Sequence, residues 1–96
     1  MESKITKSNV FNDLGFTAEE AAALAMRVDL AVEIEKFVRR KNLTQTKAAK
    51  YFDVPQPKIS KILRGKIDEF SIDYLVKMVA RTGKTPRVSF ARRKAA

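Results

Sequence analysis

The sequence predicts a mainly α-helical single domain of five helices that ends in a short β-strand. Three observations favour this fold. A helix-favouring stretch runs from Thr17 to Asn42 without Gly or Pro. Residues that commonly cap helices recur at Thr44 and Ser71, each ahead of apolar residues at helical spacing. The length of 96 residues suits one domain with a modest core.

The first predicted helix is also the longest. Its start, Thr17-Ala-Glu-Glu20, matches a capping box, in which the Thr hydroxyl and the Glu carboxylate bond the first free N–H groups. An apolar stripe follows at four-residue spacing, starting with Leu30 and Ile34. The pattern fits either one helix or two helices that bend near residues 25–29. Ahead of this helix, residues 1–15 are predicted to form an irregular arm.

Two short helices are predicted next. Thr44 caps a helix that runs to about Phe52. The following helix begins near Gln56, because the prolines on either side of Gln56 lack an N–H and fit only the first turn of a helix. Gly65 ends this second short helix, since glycine readily takes the left-handed conformation found there.

The last part of the chain holds one more helix and the predicted strand. Ser71 caps the helix and Gly83 ends it. Val88 and Phe90 then fall on one face of a short strand, which needs a partner edge. The same strand of a second copy can supply that edge, which makes Val88 and Phe90 the predicted dimerisation residues, or the arm near Ile5 can. The predicted organisation has three parts: an N-terminal arm (1–15), a helical domain (16–84), and a C-terminal strand with a basic tail (85–96).

Charge and composition narrow the function. Residues 1–40 hold six Lys/Arg against seven Asp/Glu, a net charge of −1, whereas residues 41–96 hold fourteen against four, a net charge of +10. This asymmetry indicates a polyanionic partner for the second half, or else a solvated basic surface. The chain has no Cys, His or Trp, which excludes thiolate catalysis and most metal sites. We therefore predict no enzymatic activity and no cofactor. No run of ~18 apolar residues occurs, which predicts a cytoplasmic protein without a membrane span.

The stretch from Leu43 to Gly65 carries the functional signal. It reads as two short helices joined by a tight turn at Asp53, with Val54 and Ile59 filling the corner between them. An exposed cationic helix is what insertion into the major groove of DNA requires. The side chains of the second helix that point away from the corner are long, polar and mostly cationic: Gln56, Lys58, Ser60, Lys61 and Arg64.

This stretch resembles the Xre-type, lambda-repressor-like helix-turn-helix regulators. The matching residues are Thr44-Gln45 at the start of the first motif helix, Ala49 where the helices cross, and Arg64-Gly65-Lys66 at the end of the second. The family usually has Gly where Asp53 stands, and Asp tolerates the left-handed conformation better than most residues. The resemblance implies a nucleoid-associated repressor that binds a palindromic operator in double-stranded DNA as a homodimer.

The resemblance also implies roles for single residues. Gln45 matches a glutamine that bonds a phosphate and braces the recognition helix. Gln56 and Lys61 match base-contacting positions, where Gln suits adenine and Lys suits guanine. Pro57 matches a third such position and offers an apolar contact to a thymine methyl group. For any single lysine, a solvated side chain is the alternative. The remaining DNA-facing residues are expected on phosphates, which set register and not sequence: Lys58, Ser60, Arg64 and Lys66.

A narrower resemblance covers nearly the whole chain. Segments 9–16, 64–71 and 85–90 are similar to small Xre-type antitoxins of the host-inhibition-of-growth (HigA-like) type, which are often paired with RelE-like ribonuclease toxins. It implies an antitoxin that represses its own operon and has a RelE-like toxin as a second partner. The alternatives are a stand-alone or prophage regulator without a toxin, and a protein-interaction or RNA-binding module that reuses the fold.

Overall fold

The computed structural model of the chain describes the backbone of residues 7–92 and the side chains of residues 10–92. The predicted mainly α-helical fold is confirmed for this part of the chain, and its helices number five, although one of them lies where the sequence predicts an irregular arm. No helix within it is long and apolar enough to cross a membrane. The helices are, in chain order, α1 (Lys7–Asp13), α2 (Ala18–Arg40), α3 (Gln45–Phe52), α4 (Gln56–Leu63) and α5 (Ile72–Arg81).

The long helix α2 is continuous over 23 residues, so the single-helix alternative is the correct one. Its predicted capping box is present: Glu20 N donates to Thr17 Oγ1 at 3.1 Å, and Thr17 N donates to Glu20 Oε1 at 2.9 Å. At the other end Asn42 has φ 56°, a left-handed conformation that Asn tolerates better than most residues. The chain therefore leaves α2 sharply, and α3 begins three residues later, at Gln45.

The fifth helix is α1, which the sequence did not predict. An irregular segment was expected ahead of Leu14, whereas Lys7–Asp13 form a helix. Phe11 is half-buried, and its ring meets that of Phe16 edge to face at 5.8 Å between centroids. Packing against α2 thus overrides the weak helix propensity of this segment. Ile5, the alternative partner for the predicted strand, lies outside the described residues.

The predicted C-terminal strand is wrong for the single chain. No β-strand forms anywhere in residues 7–92. Val88 and Phe90 lie in an irregular segment, where they are 61% and 94% exposed. A lone strand leaves its N–H and C=O groups unpaired, and this part of the chain offers it no sheet edge. The role of these two residues in a dimer stays a prediction.

The core lies between the C-terminal half of α2 and helices α3 to α5. α2 contacts α1, α4 and α5, and α3 packs on α4. Leu43, Ala49 and Val54 are partly buried against this core, and Ala48 is the fully buried small residue of α3. The buried cluster consists of Leu30, Ala31, Ile34, Phe37, Val38, Ala48, Phe52, Ile59, Ile62, Ile67, Phe70, Leu75, Met78 and Val79.

Side-chain hydrogen bonds to the backbone tie the helices together. The hydroxyl of Tyr51 on α3 donates to the carbonyl oxygen of Arg81 on α5 at 2.6 Å. The Arg81 guanidinium in turn donates to the carbonyl oxygen of Phe52. These reciprocal bonds fix the C-terminal ends of α3 and α5 against each other, just ahead of the turn into α4.

Candidate nucleic-acid interface

Helices α3 and α4 form the helix-turn-helix pair that the sequence predicts. Thr44 caps α3, its Oγ1 accepting a bond from Lys47 N at 3.1 Å. Asp53 closes α3 at φ 57° and ψ 50°, the left-handed conformation expected where the family usually has Gly. Gly65, at φ 79°, ends the turn after α4. The short connection between the helices is therefore set by residues suited to its backbone.

Helix α4 presents one face to the core and the opposite face to solvent. Ile59 and Ile62 are 0% and 2% exposed and anchor the inner face. Successive residues of an α-helix are rotated by about 100°, so residues at positions i, i+3, i+4 and i+7 share a face. The outer face therefore carries Pro57, Ser60, Lys61 and Arg64, of which the first and last are exposed and the middle two partly exposed.

Gln56 lies at the edge of this outer face, next to α3. The Oγ1 of Thr46 donates to Gln56 Oε1 at 3.4 Å. Both residues line a shallow groove between α3 and α4, together with Lys50 and Asp53. The amide of Gln56 keeps two N–H donors and a further lone pair, which is what pairing with adenine uses. The sequence did not predict a role for Thr46. The only feature that could have suggested one is its hydroxyl group in the first turn of α3.

Lys61 does not stand free on the outer face. Its Nζ donates to Glu69 Oε2 at 2.7 Å, across from α4 to the connection between α4 and α5. This hydrogen bond from the Lys61 ammonium holds the pKa of the Glu69 carboxyl below its ordinary value. The sequence did not predict a role for Glu69 either. The feature that could have suggested one is its position, as an acid in the connection that follows a basic helix.

Lys58 lies at the opposite edge of α4 from Gln56 and leans toward α5. Its Nζ is 5.4 Å from the centroid of the Phe70 ring and 5.8 Å from that of Tyr74, within the range of cation–π attraction. Burial raises the pKa of the Tyr74 hydroxyl, so this ring stays neutral beside the cation. Lys58 itself is exposed, which suits the predicted contact with a phosphate.

The other predicted site residues lie at the ends of the two helices. Gln45 is the first residue of α3 and is exposed. Arg64 follows the last residue of α4, and its Nε donates to the carbonyl oxygen of Ser60 at 3.4 Å. Lys66 is exposed beyond Gly65. The structure thus places Gln56 to Lys61 on α4 and Arg64 directly after it, with Gln45 at the start of α3 and Lys66 beyond Gly65.

Comparison with known proteins identifies the domain. A family model described as a helix-turn-helix domain matches residues 10–90, which is most of the chain. Neither a search of curated proteins nor a search of solved structures gives a significant match. The match extends from α1 past α5, so it includes the core as well as the exposed face of α4. The predicted helix-turn-helix domain is confirmed, and this domain indicates a DNA-binding regulator.

Proposed function

The chain belongs to the helix-turn-helix domain family, and on this premise we propose that it is a sequence-specific repressor that reads double-stranded DNA with α4. The observation that carries the proposal is the outer face of α4, which is at least partly exposed and carries Lys61 and Arg64, while Ile59 and Ile62 hold the inner face in the core. A helix fixed in this way can enter the major groove without losing its packing.

The proposal divides the candidate residues into two groups with different chemistry. Gln56 and Lys61 contact base edges, and Pro57 offers an apolar contact to a thymine methyl group. The second group binds phosphates and sets the register of the protein on the duplex. It consists of Gln45, Lys58, Ser60, Arg64 and Lys66.

Substitutions in the two groups are expected to have different effects on binding. Gln56→Ala or Lys61→Ala should weaken binding to the cognate duplex by about 1–3 kcal/mol and relax the preference at one base position in each half-site. Lys58→Ala or Arg64→Ala should weaken binding to all sequences alike and flatten the salt dependence by about one unit, because a phosphate contact releases counterions.

The measurement is a titration at several salt concentrations with two duplexes. One carries the sequence that the wild-type protein selects from a randomised library, and the other is a scrambled duplex of the same composition. Lys77→Ala is the matched control, because Lys77 is an exposed lysine on α5, outside the helix pair. Equal losses on both duplexes for Gln56→Ala and Lys61→Ala would contradict the assignment of α4 as the reading helix.

We further propose that the protein acts as a homodimer on an inverted repeat whose half-sites lie about one helical turn, or ~10 base pairs, apart. Support comes from Val88 and Phe90, large apolar side chains that the single chain leaves exposed. Deletion of residues 86–96 should convert the dimer to a monomer, as measured by light scattering. An unchanged mass after this deletion would show that the interface lies elsewhere.

The finer function that we propose is that of an antitoxin that represses its own operon in the cytoplasm, on the nucleoid. The similarity of segments 9–16, 64–71 and 85–90 to HigA-like antitoxins supports it. A RelE-like toxin encoded by the adjacent reading frame should then co-purify with this protein and increase its affinity for the shared promoter. A neighbouring gene of another kind, with no such complex, would favour the stand-alone regulator.

A further inference from the structure

A carboxylate stands beside the DNA-facing side of α4, where a polyanion would be expected to exclude it. Glu69 Oε2 is 2.7 Å from Lys61 Nζ, and the two side chains are 50% and 41% exposed. Residues 41–66, by contrast, hold seven Lys/Arg against a single acid, Asp53. Glu69 therefore opposes the attraction that the rest of this region has for any duplex.

The backbone that carries Glu69 is held on both sides. Ile67 and Phe70 are 5% and 4% exposed and belong to the core cluster. Phe70 N donates to the carbonyl oxygen of Ile67 at 3.0 Å, and the Arg27 Nε on α2 donates to the carbonyl oxygen of Phe70 at 2.6 Å. The backbone of Glu69 is consequently held beside α4, within reach of Lys61.

This geometry has two consequences for Lys61. An ammonium group has three N–H donors, so the bond to Glu69 leaves two, enough for the O6 and N7 acceptors of a guanine. The side chain is also ordered before DNA arrives, which reduces the rotamer entropy lost on binding. On a duplex without the matching base, Lys61 can bind a phosphate only with the Glu69 carboxylate beside that anion, which is repulsive, or by leaving Glu69.

We propose that Glu69 is a positioning residue that increases sequence discrimination: it holds Lys61 toward the base edge and lowers the affinity for all other duplexes. The inference rests on the proposed DNA-binding function. An exposed ion pair contributes little to folding stability, so the pair can be removed without loss of the fold.

The experiment compares Glu69→Gln with Asp73→Asn. Asp73 is the matched control because its carboxylate, 3.3 Å from Lys77 Nζ on α5, is also exposed and its substitution changes the net charge equally. Both variants, Lys61→Ala, and the double variant Lys61→Ala/Glu69→Gln are titrated against the library-selected duplex and its scrambled counterpart at several salt concentrations. Glu69→Ala is the second variant at the same position, and thermal unfolding checks that each protein is folded.

Glu69→Gln should bind the scrambled duplex more tightly and lower the ratio of selected to scrambled affinity about three- to fivefold, the size expected for an exposed ion pair. Its salt slope on the scrambled duplex should steepen by about 0.9, because Lys61 becomes free to bind one more phosphate. Asp73→Asn should leave the ratio unchanged. In the Lys61→Ala background, Glu69→Gln should no longer alter the ratio.

The inference is overturned if Glu69→Gln changes the ratio no more than Asp73→Asn does, or if its effect persists without Lys61. A wild-type protein that selects a sequence while Glu69→Gln keeps its ratio would overturn this inference alone. A wild-type protein that selects no duplex from the library would overturn the proposed function, and this inference with it.

Discussion

The two halves of α2 differ in how deeply their side chains are buried. In the C-terminal half, Ile34 and Phe37 are 0% and 4% exposed, and both belong to the core cluster shared with α3, α4 and α5. The N-terminal half packs on α1, and together they form an N-terminal hairpin, residues 7–29, outside that cluster. One continuous helix thus belongs both to a firmly packed region and to a thinly packed one.

The surfaces of the two regions differ as well. The described hairpin exposes Val10, Leu14, Phe16 and Met26. Its residues 7–29 carry four acids against two bases, Lys7 and Arg27, whereas the helix-turn-helix region is strongly basic. The molecule therefore separates a cationic helix-turn-helix end from an end that is acidic and exposes several large apolar side chains.

The two regions should differ most in how much free energy of unfolding is lost when an aromatic ring is removed. Phe52→Ala should lower the free energy of unfolding by about 3–5 kcal/mol, because Phe52 is 1% exposed at the centre of the core. Phe16→Ala removes the same ring from the hairpin, where it is 41% exposed, and should cost less than about 1 kcal/mol. Urea unfolding measures both. Equal losses would mean that the hairpin and the core unfold as one equally packed unit.

Local signals in the sequence predict most of the packed region and also the start of α2 in the hairpin. Thr17, Thr44 and Ser71 cap the helices as expected, because a cap depends only on residues three positions away. Asp53 takes the expected left-handed conformation for the same reason, since the turn is a local structure. The predicted α4 begins at Gln56, where the prolines require it.

The remainder depends on contacts between distant parts of the chain. α1 forms because of packing between Phe11, Phe16 and α2, and its own propensity does not predict it. The bonds from Lys61 to Glu69 and from Thr46 to Gln56 join different elements, so their existence follows from how those elements are placed. The predicted strand is absent from the single chain because the alternation of apolar residues at Val88 and Phe90 does not specify a partner edge.

A second prediction compares the three N-terminal helix caps, in each of which a side-chain hydroxyl accepts a backbone N–H. Replacing Thr44 or Ser71 with Ala should lower the free energy of global unfolding by about 1 kcal/mol, because α3 and α5 unfold with the core. Thr17→Ala should mainly increase hydrogen exchange in the first turns of α2 and leave global unfolding nearly unchanged. A global loss for Thr17→Ala as large as for Ser71→Ala would show that the hairpin and the core are cooperative.

The stability of the packed region should also depend weakly on pH, through Glu33. Lys84 Nζ donates to Glu33 Oε1 at 2.9 Å, and this bond holds the pKa of Glu33 below its ordinary value. A carboxyl with a lowered pKa in the folded state stabilises the protein above its ordinary pKa, and that stability is lost as the pH falls. The contribution should be less than about 1 kcal/mol because the pair is partly exposed.

Urea unfolding at neutral pH and near pH 3 tests this expectation. Lys84→Met should be less stable than the wild type at neutral pH, and the difference should vanish in acid. Glu19→Gln, which alters an acid of the hairpin, is the control and should leave unfolding of the core unchanged at either pH. A difference for Lys84→Met that persists in acid would show that the stem of the lysine, and not its charge, is responsible.

The length of α2 gives the molecule a spacer. At about 1.5 Å per residue, its 23 residues span about 34 Å, and its N-terminal end stands about 18 Å along the axis from Leu30, where the core begins. An attachment at the turn between α1 and α2, such as a fluorophore on a cysteine replacing the exposed Leu14, therefore stays clear of α4. Since the chain has no native cysteine, such a label would be unique, and it would report the position of the hairpin when duplex DNA is added.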